Sequence, residues 1–235
     1  MALHRKYSFE VLHGFCTLNW RILLRGGFMK YPLIIFDFDG TLADSVSWGV
    51  KVIGGVADQY GFKRICAEDL ERIRGYDPVT LFHDLKIPVY KIPAIASHLR
   101  KVMAEKAGEV LLHAGVDEVL KHLSRKGVTM AVVSSNSREN VRNILGKKNV
   151  SNIVFFECGV SLWGKRQKLR KVLNASGFAP EKALYVGDEI RDLQAARTVH
   201  MAFGAVGWGF NRLDVLMRYM PEEVFRHVSD MFLNE

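Results

Sequence analysis

The sequence predicts an α/β fold with a parallel sheet, because three short apolar runs alternate with stretches of helical periodicity. The runs are rich in branched and aromatic side chains and too short for buried helices, so they indicate central strands: Leu33–Phe36, Val128–Val133 and Ala183–Val186. Polar residues follow each run. Open α/β sheets bind ligands beyond the carboxyl ends of their strands, so these polar residues are candidates for a functional site.

The first run ends in two acidic residues, Asp37 and Asp39, followed by Gly40 and Thr41. Alternate residues of an extended strand share a face, and Gly40 indicates a bend there. Two carboxylates held at a strand end repel each other, and a bound cation or a shared proton relieves the repulsion. Both are catalytic devices. A solvated acidic turn would explain the same residues without any function.

Polar residues also follow the second run, where Ser134 and Asn136 come directly after Val133. The sequence Ser-Ser-Asn-Ser is also an ordinary helix N-cap, with Glu139 placed for a capping interaction. Both interpretations can hold, because the amino terminus of a helix is itself an anion site.

Acidic residues follow the third run, as Gly187-Asp188-Glu189-Ile190-Arg191-Asp192. A lysine lies between the second and third runs, with Lys165 as the first candidate and Lys168 as the alternative. In this order the motifs resemble those of the haloacid dehalogenase (HAD) superfamily: a strand with Asp-x-Asp-Gly-Thr, a hydroxyl residue, a lysine and Gly-Asp-x-x-x-Asp. The resemblance covers roughly residues 30–220 and implies a Rossmann-like doubly wound parallel sheet with an inserted all-helical cap.

The resemblance also implies a role for each motif residue. Asp37 would be the nucleophile that becomes an aspartyl phosphate, and Asp39 would protonate the leaving oxygen and then activate water. Asp37, Asp188 and the backbone carbonyl of Asp39 would hold Mg²⁺, with Asp192 as a weaker ligand or a supporting carboxylate. The phosphoryl oxygens would be held by Ser134 and Lys165, with help from Thr41 and Asn136.

Three segments are expected: an N-terminal extension (residues 1–29), the α/β core (residues 30–44 and 110–235) and the helical cap (residues 45–109). The cap segment holds four stretches of helical periodicity, separated by Gly61, Gly75 and Pro88: Ser47–Tyr60, Ala67–Arg74, Pro78–Leu85 and Ile92–Lys106. Its strongest turn signal is Arg74–Pro78. Such loops in small caps face the core site, so Arg74 or Tyr76 would touch the leaving group; a solvent-facing corner is the alternative.

The implied activity is Mg²⁺-dependent hydrolysis of a small phosphate monoester. The chain resembles the phosphoglycolate phosphatase-like branch through Ser134–Asn136, Gly187–Asp192 and Trp208–Phe210, so phosphoglycolate is one candidate. Dehalogenases and phosphonatases are disfavoured, since they lack an acid at the position of Asp39. Two alternatives stay open: a phosphoryl transferase of the β-phosphoglucomutase kind, and a degenerate HAD fold that only binds.

Composition agrees with one α/β domain plus an insertion: the chain has 235 residues, of which 49% are hydrophobic. The formal charge of +8 suggests nucleic acid as a type of partner, but the sequence contains no nucleic-acid recognition motif. We therefore expect no nucleic-acid partner, and a basic surface would attract a small phosphorylated metabolite. The sequence does not indicate an oligomeric state.

Two further features of the sequence concern the cellular compartment in which the protein works. Three cysteines without CxxC spacing indicate a reducing, cytoplasmic environment and no structural zinc. The apolar stretch from Val11 to Leu24 is interrupted by polar residues, so it is too short and polar to span a membrane. A transit peptide would also be basic and poor in acids, and it is the alternative for this extension.

Overall fold

The computed structural model describes residues 30–159 and 164–232. The described residues from Tyr31 onward belong to one compact unit. Six parallel strands form its sheet, in the order β3-β2-β1-β4-β5-β6. Their bounds are β1 (Leu33–Phe36), β2 (Thr129–Val133), β3 (Phe155–Glu157), β4 (Ala183–Gly187), β5 (Ala202–Val206) and β6 (Glu223–Phe225). This doubly wound order confirms the predicted fold class.

The three predicted strands are confirmed, and they lie side by side at the centre of the sheet as β2, β1 and β4. Leu33 pairs with Thr129 on one side and with Ala183 on the other. Every residue of β1 and β4 is buried, as expected of strands covered on both faces. The second strand begins at Thr129, one residue later than predicted.

Residues 45–109 form a helical insertion, as predicted. Its helices are α1 (Ser45–Tyr60), α2 (Ala67–Ile73), α3 (Pro78–Asp84) and α4 (Ile92–Glu105), with 3-10 turns at Val89–Lys91 and Ala107–Glu109. Helix α1 begins two residues before the predicted start because Asp44 caps it, accepting a hydrogen bond from the Ser47 amide at 3.2 Å. Whether the insertion is a separate domain stays a prediction, since it belongs to the same compact unit as the sheet.

The remaining helices accompany the sheet: α5 (Val116–Arg125), α6 (Arg138–Val150), α7 (Lys165–Ser176), α8 (Ile190–Arg197) and α9 (Leu213–Met217). Helix α7 buries Leu169, Val172 and Leu173 in the main hydrophobic core, as its sequence pattern predicts. None of the described helices combines the length and apolar character that a membrane crossing requires. Residues 1–29, expected to be an extension, lie outside the described residues.

The chain enters and leaves the helical insertion at neighbouring points. Ala43 and Leu112 form an antiparallel bridge, and the Asp44 amide donates to the Leu111 carbonyl at 2.8 Å. Next to this bridge, on the side of the sheet, the His113 amide donates to the Leu42 carbonyl at 2.9 Å. These hydrogen bonds fix both ends of the insertion directly beside the residues that follow β1.

Candidate active site

The candidate site lies where the strand order reverses, between β1 and β4. Asp37 follows β1 directly, and its amide donates to the Val186 carbonyl of β4 at 2.8 Å. Asp188 follows β4. Parallel strands end at the same edge of the sheet, so the topology itself brings these two acids together.

Three buried carboxylates form an acidic cluster: Asp37, Asp188 and Asp192 offer oxygens that all lie within 4.8 Å of one another. The ammonium of Lys165 lies 2.6 Å from Asp37 Oδ2 and also pairs with Asp192. The three carboxylates repel one another more than one ammonium can offset, so a bound cation or a bound proton would stabilise the cluster. Carboxylate oxygens are the ligands that hard divalent cations prefer, so the residues present fit such an ion.

The pKa values of the cluster follow from burial and from the neighbouring charges. Burial raises the pKa of Asp37 well above its ordinary value, although the charge of Lys165 opposes this. Burial and the charges of Glu189 and Asp192 raise the pKa of Asp188 to about 7. Burial by itself would lower the pKa of Lys165, but Asp192 and Asp37 raise it above the ordinary lysine value. Lys165 is therefore a fixed cation at neutral pH.

Asp188 is oriented from both sides. Its Oδ1 accepts from the Thr41 hydroxyl at 2.9 Å, and its Oδ2 accepts from the Phe210 amide at 2.8 Å. Gly40, at φ 80°, and Gly209 lie so close that a Cβ at either position would overlap the Asp188 side chain. Both glycines thus make room for this carboxylate. Thr41 was predicted to bind phosphate, and that role stays a prediction.

Asp192 holds Lys165 in place. Its Oδ1 also accepts from the Tyr185 hydroxyl at 3.2 Å, while its Oδ2 accepts from the Glu189 amide at 3.2 Å. These donors occupy much of the hydrogen-bonding capacity of Asp192, whereas Asp37 and Asp188 keep more of theirs. Asp192 was predicted to be either a weaker metal ligand or a supporting carboxylate. The geometry favours the supporting carboxylate. The alternative lysine, Lys168, pairs with Glu157 at 2.8 Å.

Lys165→Met tests the electrostatic balance of the cluster. The substitution leaves the buried Asp37 and Asp192 without their cation, so we expect a loss of about 3–5 kcal/mol in the free energy of unfolding. Urea denaturation measures this loss. Lys101→Met on the exposed face of α4 is the control and should leave the stability within about 0.5 kcal/mol of wild type. Equal stabilities of the two variants would contradict the conclusion that Lys165 is the counterion of Asp37 and Asp192.

Asp39 is half-buried and faces a different set of groups. Its Oδ1 accepts from Asn136 Nδ2 at 3.1 Å, and its Oδ2 accepts from the Ser134 hydroxyl at 3.3 Å. Its side chain is not part of the acidic cluster. Burial raises the pKa of Asp39, although the hydrogen bond from Asn136 works in the opposite direction. A carboxyl group with a raised pKa is suited to donating a proton near neutral pH.

The loop after β2 brings Ser134 and Asn136 to the site, as predicted. Ser134 Oγ accepts from the Asn136 amide at 3.0 Å, so the loop is tightly folded. The N-cap of α6 is Ser137, whose hydroxyl accepts from the Asn140 amide at 3.1 Å. The capping and the site-facing roles are therefore carried by different residues of the same loop.

The predicted specificity residues contact the loop after β5. Arg74 Nη2 donates to the Gly209 carbonyl and its Nε to the Phe210 carbonyl, both at 3.0 Å. Asn211 Nδ2 donates to the carbonyls of Arg74 and Tyr76, at 3.0 and 2.9 Å. The turn thus faces the sheet domain, while the guanidinium of Arg74 binds backbone. Contact of Arg74 or Tyr76 with a leaving group stays a prediction.

Arg74 therefore holds the peptide between Gly209 and Phe210, whose carbonyl accepts from Arg74 and whose N–H donates to Asp188. We expect Arg74→Met to reduce kcat/KM by about tenfold or more, and equally for different substrates, since charge-assisted hydrogen bonds to the loop are lost. Steady-state kinetics with two phosphate esters of different leaving groups measures this. Exposed Arg218→Met is the control. A change in substrate ranking without a general loss would assign Arg74 to the leaving group instead.

A cavity of about 360 Å³ lies between the helical insertion and the ends of the strands. Its walls are mainly apolar side chains of the insertion, among them Val46, Ile53, Phe62, Leu81, Ile95 and Leu99, and it reaches Asp39 and Asp188. Two lining residues that the sequence analysis missed are Trp48 and Arg100. No local pattern singled them out, because their position depends on how α1 and α4 pack over the sheet.

Comparison with known proteins identifies the family. Residues 34–206 match the family model described as haloacid dehalogenase-like hydrolase. A solved haloacid dehalogenase-like hydrolase from Streptococcus pneumoniae superposes with a TM-score of 0.70 at 20% identity, over 86% of this chain and 96% of that one. The chain therefore belongs to the haloacid dehalogenase-like hydrolase family.

Within that family the chain is similar to phosphoglycolate phosphatases. The phosphoglycolate phosphatase of Synechococcus elongatus is 29% identical over 199 residues, which cover 84% of this chain and 94% of that protein. A 5′-nucleotidase from Pseudomonas aeruginosa is 25% identical, over 84% of this chain and 92% of its own length. The family resemblance predicted from the motifs is confirmed.

Proposed function

We propose that this protein is a Mg²⁺-dependent phosphatase that hydrolyses a small phosphate monoester, with phosphoglycolate as the first candidate, through an aspartyl phosphate on Asp37. One observation carries the proposal: Asp37 and Asp39 are two residues apart but lie in different surroundings. Asp37 belongs to the acidic cluster beside Lys165, whereas Asp39 contacts Ser134 and Asn136 and has a raised pKa. Such a division suits a nucleophile and a proton donor.

In the first step, a carboxylate oxygen of Asp37 attacks phosphorus in line with the ester oxygen. The bond from phosphorus to the ester oxygen breaks, and this oxygen takes the proton of Asp39 as it leaves. Lys165, 2.6 Å from Asp37, offsets the repulsion between the nucleophile and the anionic phosphate. Ser134 and Asn136, which contact Asp39 in the free protein, bind the phosphoryl oxygens.

In the second step, Asp39 is ionised and accepts a proton from water, whose oxygen attacks phosphorus. The bond between phosphorus and Asp37 breaks, which releases phosphate and restores the carboxylate. Asp37, Asp188 and the backbone carbonyl of Asp39 would hold Mg²⁺, which would neutralise charge on the phosphoryl group. Asp192 keeps Lys165 in place, and residues 45–109 act as a cap that covers the site.

The test is hydrolysis of p-nitrophenyl phosphate with Mg²⁺ and with excess chelator, followed by a panel of natural monoesters. Activity that needs Mg²⁺ supports the proposal, and absence of hydrolysis for every ester contradicts it. The panel includes phosphoglycolate and 5′-nucleotides, because relatives of this chain carry both names. The ranking within the panel then decides the substrate.

A further inference from the structure

The charges around the cavity are unevenly distributed. Three acidic residues line the cavity from the sheet side, namely Asp39, Asp188 and Glu189, and Arg100 of α4 is the only cation among its described lining residues. Glu189 is already paired with Arg191 at 2.6 Å. Asp39 and Asp188 have roles in the proposed reaction. Arg100 is therefore the lining residue that can act as counterion to an anionic leaving group.

Arg100 lies next to the predicted phosphate-binding loop. Its Nη1 approaches the Ser135 carbonyl at 3.4 Å, and its own carbonyl accepts from Asn140 Nδ2 at 3.0 Å. One turn further along α4, Met103 Sδ contacts Asn136 Nδ2 at 2.9 Å. These contacts fix the helix backbone, whereas the half-buried guanidinium has one long hydrogen bond and no ion pair with any described carboxylate. It is free to bind a ligand.

Trp48 of α1 also lines the cavity, but its indole Nε1 is buried and has almost no accessible surface, so it is not presented to a ligand. Arg100 is therefore the charged donor that the cavity offers. A guanidinium binds a carboxylate through two parallel hydrogen bonds, so this position suits a ligand with a carboxylate.

We propose that Arg100 binds the carboxylate of the leaving group, so that the preferred substrates are phosphate esters of 2-hydroxy acids. This rests on the proposed phosphatase function and deepens it. Glycolate is the smallest such acid, and the apolar cavity of about 360 Å³ has room for an apolar side chain on the carbon that bears the phosphate. Phospholactate, which adds one methyl group, is therefore also a substrate.

The experiment compares phosphoglycolate with 2-hydroxyethyl phosphate, an analogue with an uncharged leaving group in which a hydroxymethyl group replaces the carboxylate. Arg100→Met keeps the apolar stem and removes the charge, so kcat/KM for phosphoglycolate should fall by about 10- to 100-fold, but by less than about threefold for the analogue. Exposed Lys101→Met, on the same helix, is the matched control for charge. Wild type should hydrolyse phospholactate at least as well as phosphoglycolate.

If Arg100→Met lowered kcat/KM equally for phosphoglycolate and for 2-hydroxyethyl phosphate, Arg100 would not be the ligand of the carboxylate. A purely structural role of Arg100 would have that effect. Wild-type enzyme that hydrolyses the analogue as well as phosphoglycolate would overturn it too, and poor hydrolysis of phospholactate would overturn the wider substrate class. Hydrolysis of p-nitrophenyl phosphate distinguishes failure of this inference from failure of the proposed function. If wild type hydrolyses this ester in spite of one of these results, the phosphatase function stands and only the inference fails. If wild type hydrolyses none of the esters, both fail.

Discussion

Asp37→Asn should abolish turnover while the protein stays folded. The amide has nearly the shape of the carboxylate but cannot attack phosphorus, so we expect kcat to fall by more than about 100-fold for every ester. Removing one carboxylate from the acidic cluster also lowers its internal repulsion, so the fold should persist. Purified variant and wild type are compared by steady-state kinetics and by thermal melting followed by circular dichroism.

Asp58→Asn is the matched control, because Asp58 is exposed and Arg64 is its sole ion-pair partner among the residues that the structure describes. It should keep full activity. If Asp37→Asn retained more than about a hundredth of wild-type activity, a general-base role of ordinary size would explain the loss, and the nucleophile would have to be another residue.

Asp188→Asn should remove both the metal dependence of activity and the stabilisation by metal. Mg²⁺ at a hundredfold excess over its Kd should stabilise wild type by about 2.7 kcal/mol. For a chain of this size that raises Tm by about 5–10 °C. Under the proposed function Asp37 and Asp188 are the two carboxylates that hold Mg²⁺. The variant keeps only one of them, so its Tm should not respond to Mg²⁺ and its activity should be lost.

Differential scanning fluorimetry with and without Mg²⁺ measures the shift in Tm, and Asp58→Asn again serves as the control. Full wild-type activity in excess chelator would refute a metal role for the cluster. An equal Mg²⁺-induced shift in Asp188→Asn and in wild type would place the metal elsewhere.

The sequence predicts those parts of the molecule that depend on neighbouring residues in the chain. Asp37, Ser134 and Asp188 directly follow buried strands, so recognising the strands locates all three at one edge of the sheet. The helix limits in the insertion were also predictable to within one or two residues, because Gly61, Gly75 and Pro88 are local signals. The start of α1 was two residues off because the cap formed by Asp44 was not recognised.

What the sequence could not predict depends on packing between distant segments. Arg74 and Phe210 are linked only through the approach of α2 to the loop after β5. Trp48 and Arg100 lie on opposite ends of the insertion and share a cavity only because α1 and α4 pack over the strand ends. The prediction for Arg74 relied on the turn signal, which located the loop but gave no information on where the guanidinium would point.

The two ends of the helical insertion are hydrogen-bonded to each other, so its length can vary at little cost in free energy. Since Ala43 and Leu112 form a bridge, the whole insertion is one long loop closed at its base. The entropy of closing such a loop grows only with the logarithm of its length, so each doubling costs about 0.6 kcal/mol. Insertions of different length and composition could therefore be grafted between these two residues at a small cost in closure entropy. A graft that keeps the contacts of Arg74 with the loop after β5 would change the substrate and preserve the orientation of Asp188.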